Sequence, residues 1–214
     1  TAFYEAYGLK GWSSLKKTID YLNDNFPNHF TIADAKRGDI GNTSERYAKA
    51  FFEDLGFDSV TVAPYMGADS VEPFLTFDDK FAILLALTSN HGAFDFQTKS
   101  CNGEALFMKV INSSKHWKNS QRLMYVLGAT KSEQLSQIRD MLPDSFFLVP
   151  GIGAQGGDLE AVCQAAITKK VGLLVNSSRG IIYASRSDDF ASAAREAAKS
   201  IQAEMALILE AVNH

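Results

Sequence analysis

Six short apolar runs, each nearly unbroken and each followed by a segment of helical spacing, constrain this chain most. They read FTIADAK (30–36), SVTVAP (59–64), FAILLALTS (81–89), RLMYVLGA (122–129), FFLVPGI (146–152) and VGLLVNSS (171–178). A strand with one wet face alternates apolar and polar residues. Runs without alternation fit strands covered on both faces of a parallel sheet.

Helical stripes lie between the runs. Leu159, Val162, Cys163, Ala166 and Ile167 follow an i, i+3, i+4, i+7, i+8 pattern, and Trp12, Leu15, Ile19 and Leu22 form a similar one. Thr130 with Glu133 has capping-box spacing, Pro143 is placed to end the segment that follows, and Gly56 stands where a C-terminal glycine stop belongs. Alternating strand and helix predicts an α/β fold, an open doubly wound sheet or a closed (β/α)8 barrel, and the pattern alone does not choose. A barrel needs eight strands and typically about 250 residues. This chain starts at Thr1, reaches a helix near Gly11 before any strand, and supplies six strands. The expectation is a single domain over residues 1–214, with two strands and a helix lying upstream of Thr1.

Charge and cysteine content limit the function. The 21 basic and 25 acidic residues leave a net charge of −4, and no basic run exceeds Lys16-Lys17 or Lys169-Lys170, so nucleic acid is not an expected partner. Cys101 and Cys163 are far apart and match no metal-ligand spacing, which fits reduced thiols in a cytoplasmic protein. No stretch approaches the roughly 20 apolar residues of a membrane span, and no signal-peptide pattern opens the chain. No membrane association is expected.

The chemistry concentrates in four stretches. In DAKRGD (34–39), Asp34 and Lys36 fall on one face of a strand at its carboxyl end, where parallel α/β folds bind ligands. Asp34 and Asp39 would keep the Lys36 ammonium protonated, either as a purely structural ion-pair network or as a reactive centre. Asn42-Thr43-Ser44 reads as the N-cap of a helix whose Tyr47, Phe51 and Leu55 are expected in the core. The second stretch, LVPGIGAQGGD (148–158), contains G-x-G-x-x-G at Gly151, Gly153 and Gly156. A dinucleotide site would also want an acidic residue after the next strand, where this chain has Asn176, Ser177 and Ser178. A glycine-rich anion cradle remains. In the third, NSSRGIIYAS (176–185), Arg179 suits a phosphate dianion, or else a surface pairing with a nearby Asp. If two strands precede Thr1, then Gln155, Gly156 and Arg179 follow strands seven and eight, a common phosphate site of barrels. The fourth carries Thr88, Ser89 and Asn90 at a strand end, fit to read a heterocycle edge or merely to cap the loop. His91 reads as a loop residue and Glu72 as a helix-start acid.

In this order, DAKRGDI, TSNHG, PGIGAQGGD and SSRGIIYAS resemble the orotidine 5′-phosphate decarboxylase family, and in particular its bacterial branch with AFYE (2–5) near the start. The resemblance spans nearly the whole chain. It implies a (β/α)8 barrel homodimer with shared sites that releases carbon dioxide from orotidine 5′-phosphate, without metal or organic cofactor. By the same resemblance Lys36 is the proton donor, Asp34 the carboxylate near the departing group, and Asp39 a residue reaching the neighbouring subunit's site together with Thr43. Ser89 meets the pyrimidine edge, Gln155 spans base and phosphate beside Gly156, and Arg179 clamps the phosphate. Ile40 and Pro150 match apolar neighbours of the reacting carboxylate. The sequence departs from the family at His91, where a proline is usual, and no residue here matches the family's ribose-binding aspartate or second lysine. Two other readings are a metal-dependent keto-sugar-phosphate decarboxylase or aldolase on a related barrel, and a non-catalytic nucleotide-binding barrel.

Overall fold

The six apolar runs become six strands in a computed structural model that describes residues 1–128, 132–152 and 158–212. The chain divides into two compact units, Thr1–Ala86 with Ser100–Met124, and Leu87–Lys99 with Tyr125 onward.

In the first unit, α1 (Ala2–Glu5) and α2 (Gly8–Asn25) precede β1 (Ile32–Arg37), followed by α3 (Gly41–Lys49), β2 (Ser59–Val62), α4 (Ala68–Val71) and β3 (Phe81–Leu87). The strands are parallel and lie in the order β1-β2-β3. Leu15 and Ile19 of α2 are buried as their spacing requires, and Val60, Val62, Ile83 and Leu84 are fully enclosed. Each such aliphatic side chain contributes about 1.5–3 kcal/mol of burial. The helices α1 and α2 approach so closely that a Cβ on Gly11 would lie 1.6 Å from the Tyr4 carbonyl oxygen. Only glycine fits there.

Register within β1 is uneven. Ala33 sits opposite Val60 and Arg37 opposite Val62, so β1 advances four residues while β2 advances two. The surplus is absorbed in a bulge where Lys36 has φ +48°, a left-handed conformation that costs a side-chain-bearing residue on the order of 1 kcal/mol or more.

Helix α3 corrects one expectation. Its N-cap is Ile40, which makes no side-chain capping bond, and Asn42, Thr43 and Ser44 lie inside the first turn. Ser44 is instead fully buried, its hydroxyl 2.5 Å from the Asp39 carbonyl and 2.9 Å from that of Ser70. It ties the 39–43 turn to the start of α4. After Lys49 the helix widens into a π-helical turn over Ala50–Asp54 and stops at Gly56, φ +80°, where the Phe57 amide reaches back to the Phe51 carbonyl at 2.9 Å. Phe51 and Leu55 are buried, but Tyr47 is 36% exposed. It is covered by the Arg37 guanidinium, 5.4 Å above its ring. A two-residue ladder, β4 (Ser100–Cys101) with β5 (Glu104–Ala105), turns at Asn102-Gly103, both with positive φ, and leads into α5 (Leu106–Ser114).

The second unit holds β6 (Leu123–Leu127), α6 (Ser132–Met141), β7 (Phe147–Pro150), α7 (Leu159–Ala166), β8 (Leu173–Asn176), α8 (Arg179–Ile182) and α9 (Phe190–Val212). Its strands are parallel, in the order β6-β7-β8. The α7 stripe buries Leu159, Val162, Cys163 and Ala166, while Ile167 is the C-cap. Asp158 caps α7 by accepting the Ala161 amide at 3.2 Å. The Thr130–Glu133 capping box lies outside the described residues.

Arg139 of α6 carries a full charge, yet it is only 9% exposed. Its guanidinium donates to the carbonyls of Ala166 (2.8 Å), Leu142 (2.9 Å), Ser145 (2.7 Å) and Gly172 (2.9 Å), and it lies 3.7 Å from the centroid of the Phe147 ring. Burial pushes its pKa down to about 10, against a smaller upward pull from Asp144, so it stays charged at neutral pH. Gly172, with φ +68°, leaves the space a Cβ would take 3.0 Å from the guanidinium.

Candidate active site

The described sequence-selected residues lie at or just after the carboxyl ends of strands. In the first unit, Lys36 Nζ donates to Asp34 Oδ1 at 2.5 Å. Both side chains are more than half exposed, 55% and 59%, so the pair is open to a ligand. The small residues Ala33 and Ala35 take the buried face of β1, which leaves Asp34 and Lys36 on the other.

Thr61, the hydroxyl hidden in the SVTV strand, completes the arrangement. It is 1% exposed. Its Oγ1 accepts the Lys36 amide N–H at 2.9 Å and donates to Asp34 Oδ1 at 3.0 Å. Sequence reasoning missed this residue, whose only signal is a threonine among valines. Burial alone would raise the Asp34 pKa, but the hydrogen bond and charge of Lys36 and the Thr61 hydroxyl outweigh it and hold the carboxyl below its usual range. A carboxyl depressed in the folded state adds stability above the ordinary aspartate range and loses it as the pH falls through the lower folded value. The Asp34 carboxyl is therefore ionised at neutral pH.

Asp39 and Thr43 follow in the same unit. Asp39 Oδ1 accepts the Ile40 amide at 2.8 Å, Ile40 is 54% exposed, and Thr43 is exposed in the first turn of α3. On the far side of β1, Arg37 pairs with Glu5 at 2.7 Å, anchoring AFYE to the strand that carries Lys36.

In the second unit, the Gly128 amide donates to the Leu87 carbonyl at 2.8 Å, which sets the Thr88-Ser89-Asn90 loop against the end of β6. A Cβ on Gly128 would come within 3.0 Å of the Ser89 nitrogen. Thr88 is tied to its loop by Gln97, whose Oε1 accepts the Thr88 amide at 2.8 Å, and by Asn90, whose Oδ1 accepts the Thr88 hydroxyl at 2.6 Å. Pro150, the last residue of β7, stands opposite Asn176, the last of β8. The loops that begin at Gly151 and Ser177 therefore start side by side. Arg179 opens α8, is exposed, and forms no salt bridge among the described residues. The surface pairing with an Asp finds no support there. Gln155 and Gly156, with Gly153, lie outside the described residues. Glu72 accepts the Lys118 amide at 2.9 Å and serves as a link between segments. Among the described residues no three His, Cys, Asp or Glu side chains group as a metal site.

The model of one family, orotidine 5′-phosphate decarboxylase / HUMPS, matches residues 1–197. The chain belongs to that family. It is 67% identical over 210 residues to an orotidine 5′-phosphate decarboxylase of Flavobacterium johnsoniae, covering 98% of the chain and 77% of that relative. Among solved structures, the OMP decarboxylase of Leishmania donovani matches with TM-score 0.80 and 34% identity, over 94% of this chain and 77% of that one. The UMP synthase of the same organism matches with TM-score 0.82 and 37% identity, over 94% of this chain and 44% of that one. Membership in the orotidine 5′-phosphate decarboxylase / HUMPS family settles what the alternation of elements left open: the fold class is the (β/α)8 barrel, and six of its strands lie among the described residues. Among the described residues no helix is long and apolar enough to cross a membrane.

Proposed function

We propose that residues 1–214 belong to one catalytic domain that converts orotidine 5′-phosphate to UMP and carbon dioxide. The observation that carries this reading is the open Asp34–Lys36 pair at the end of β1, held by a backbone bulge. Breaking the bond between C6 and the carboxylate leaves an electron pair on a carbon with no electron sink. A fixed ammonium can stabilise that charge and then donate a proton to it. Lys36 takes this role, and solvent returns the lost proton to its neutral amine. Asp34 faces the substrate carboxylate, and the repulsion between the two is relieved as neutral carbon dioxide departs.

Ser89 and Gln155 hold the pyrimidine, Arg179 and Gly156 the phosphate, and Ile40 and Pro150 line the apolar side of the reacting carboxylate. Binding of the remote phosphate would contribute to kcat by holding the reactive geometry. The reading requires neither metal nor organic cofactor. Incubated with orotidine 5′-phosphate and excess chelator, the full-length protein is expected to release carbon dioxide at its full rate. A rate that collapses and returns with magnesium would favour the keto-sugar-phosphate enzyme, and no turnover at all would favour a binding barrel.

The protein works as a cytoplasmic homodimer in which Asp39 and Thr43 reach the partner's substrate. The half-buried Asp39 on the turn before α3 and the exposed Thr43 in the first turn of α3 support this. Asp39→Ala and Lys36→Ala proteins, each nearly inactive, should regain activity when mixed and allowed to exchange subunits. One intact site per mixed dimer predicts about a quarter of wild-type activity at equal mixing, since random exchange makes half the dimers mixed. No recovery after exchange is demonstrated would refute the shared site.

A further inference from the structure

We propose that Thr61 is a positioning residue for decarboxylation: its buried hydroxyl locks both the bulge that aims Lys36 and the Asp34 carboxylate paired with it. All four positions of β2 are buried, and a hydroxyl enclosed there costs about 1–3 kcal/mol unless hydrogen-bonded. Valine has the same shape and suits a strand as well. The hydroxyl is satisfied by two groups, and both belong to the reactive segment.

Its geometry forms a closed ring. The Lys36 N–H donates to Thr61 Oγ1 (2.9 Å), Thr61 Oγ1 donates to Asp34 Oδ1 (3.0 Å), and the same Oδ1 accepts from Lys36 Nζ (2.5 Å). A bulge removes the extra residue's amide from the strand ladder, and an amide left unpaired would favour relaxing the bulge. Thr61 supplies the missing acceptor where Lys36 adopts φ +48°. One oxygen thus fixes the backbone and the counter-ion of the same ammonium, and the Lys36 side chain gains a defined direction although it is more than half exposed. Support of this kind matters because misplacing a reacting group by about 1 Å can cost on the order of 100-fold in rate.

The inference rests on Lys36 being the proton donor, and its test separates the two claims. Thr61→Val and Thr61→Ser are compared with wild type in the full-length protein, by kcat and KM for orotidine 5′-phosphate and by hydrogen–deuterium exchange at the Lys36 amide. Thr61→Val should lower kcat about 10- to 100-fold with KM changed less than about threefold, and should speed Lys36 amide exchange at least about tenfold. Thr61→Ser should restore most of both. Wild-type kcat in folded Thr61→Val protein overturns the proposal. If wild type shows no turnover, the function falls but the positioning claim is still read from the amide, and unchanged exchange in Thr61→Val overturns it. Should Thr61→Val fail to fold, Thr61→Cys, a weak donor of similar size, is read in the same way.

Discussion

Replacing Lys36 with alanine is expected to lower kcat/KM for orotidine 5′-phosphate by on the order of 10⁵-fold, because one group supplies both charge stabilisation and the proton. Folding should barely notice. The Asp34–Lys36 pair is more than half exposed on both sides, and exposed pairs contribute at most about 1 kcal/mol. The backbone at position 36 sharpens the test. At φ +48° alanine inherits the strain of lysine whereas glycine does not, so Lys36→Gly should be more stable than Lys36→Ala by about 1 kcal/mol while equally inactive. Stability and activity would then move independently at one position. A Lys36→Ala protein that retains a tenth of the activity, or that loses it only through unfolding, would contradict this account.

Arg139→Met is expected to produce the largest loss of stability, about 3–5 kcal/mol and a fall in Tm on the order of 10 °C. The substitution removes the donor shared by the carbonyls of Leu142, Ser145, Ala166 and Gly172. Gly172 keeps the Phe147 amide and Leu142 the Ser145 amide, so the loss falls on Ala166 and Ser145, and an acceptor left unpaired on burial carries a desolvation cost of about 1–3 kcal/mol. It also removes the cation from the Phe147 face. Arg139→Lys keeps the charge, but an ammonium lacks the planar fork that spans four carbonyls, so it should recover less than half of the loss. Differential scanning calorimetry of the three proteins checks the order. A Tm within about 2 °C of wild type for Arg139→Met would show that the fork is dispensable.

What was legible in the sequence follows from what each feature depends on. Strands β3, β6 and β7 declared themselves because burial on nearly every position favours an unbroken apolar run, and Gly56 declared the helix stop because its φ of +80° excludes most other residues. Asp34 and Lys36 were visible as candidates because two charges seldom end a buried strand without a purpose. Their geometry was not visible. The bulge that brings them together depends on the register between β1 and β2, and nothing in DAKRGD records its partner strand. Ser44 misled for a related reason. A serine before an apolar stripe fits a cap, but its hydroxyl is claimed by Asp39 and by Ser70, 26 residues away. Tyr47 keeps the helical spacing of a core residue yet rests under the Arg37 guanidinium, a contact only the folded β1 supplies. Arg139 and Thr61 stayed hidden because each is a polar residue in a pattern that ordinarily sends it to solvent or replaces it with valine.

The central claim, that the Lys36 ammonium meets and protonates a C6 carbanion, is tested most directly by running the last step backwards. Full-length protein saturated with UMP in deuterium oxide should exchange the C6 hydrogen for deuterium, followed by proton NMR, and Lys36→Ala protein that still binds UMP should not. Equal exchange in the two proteins, or none in a wild-type enzyme that decarboxylates its substrate, would contradict the account.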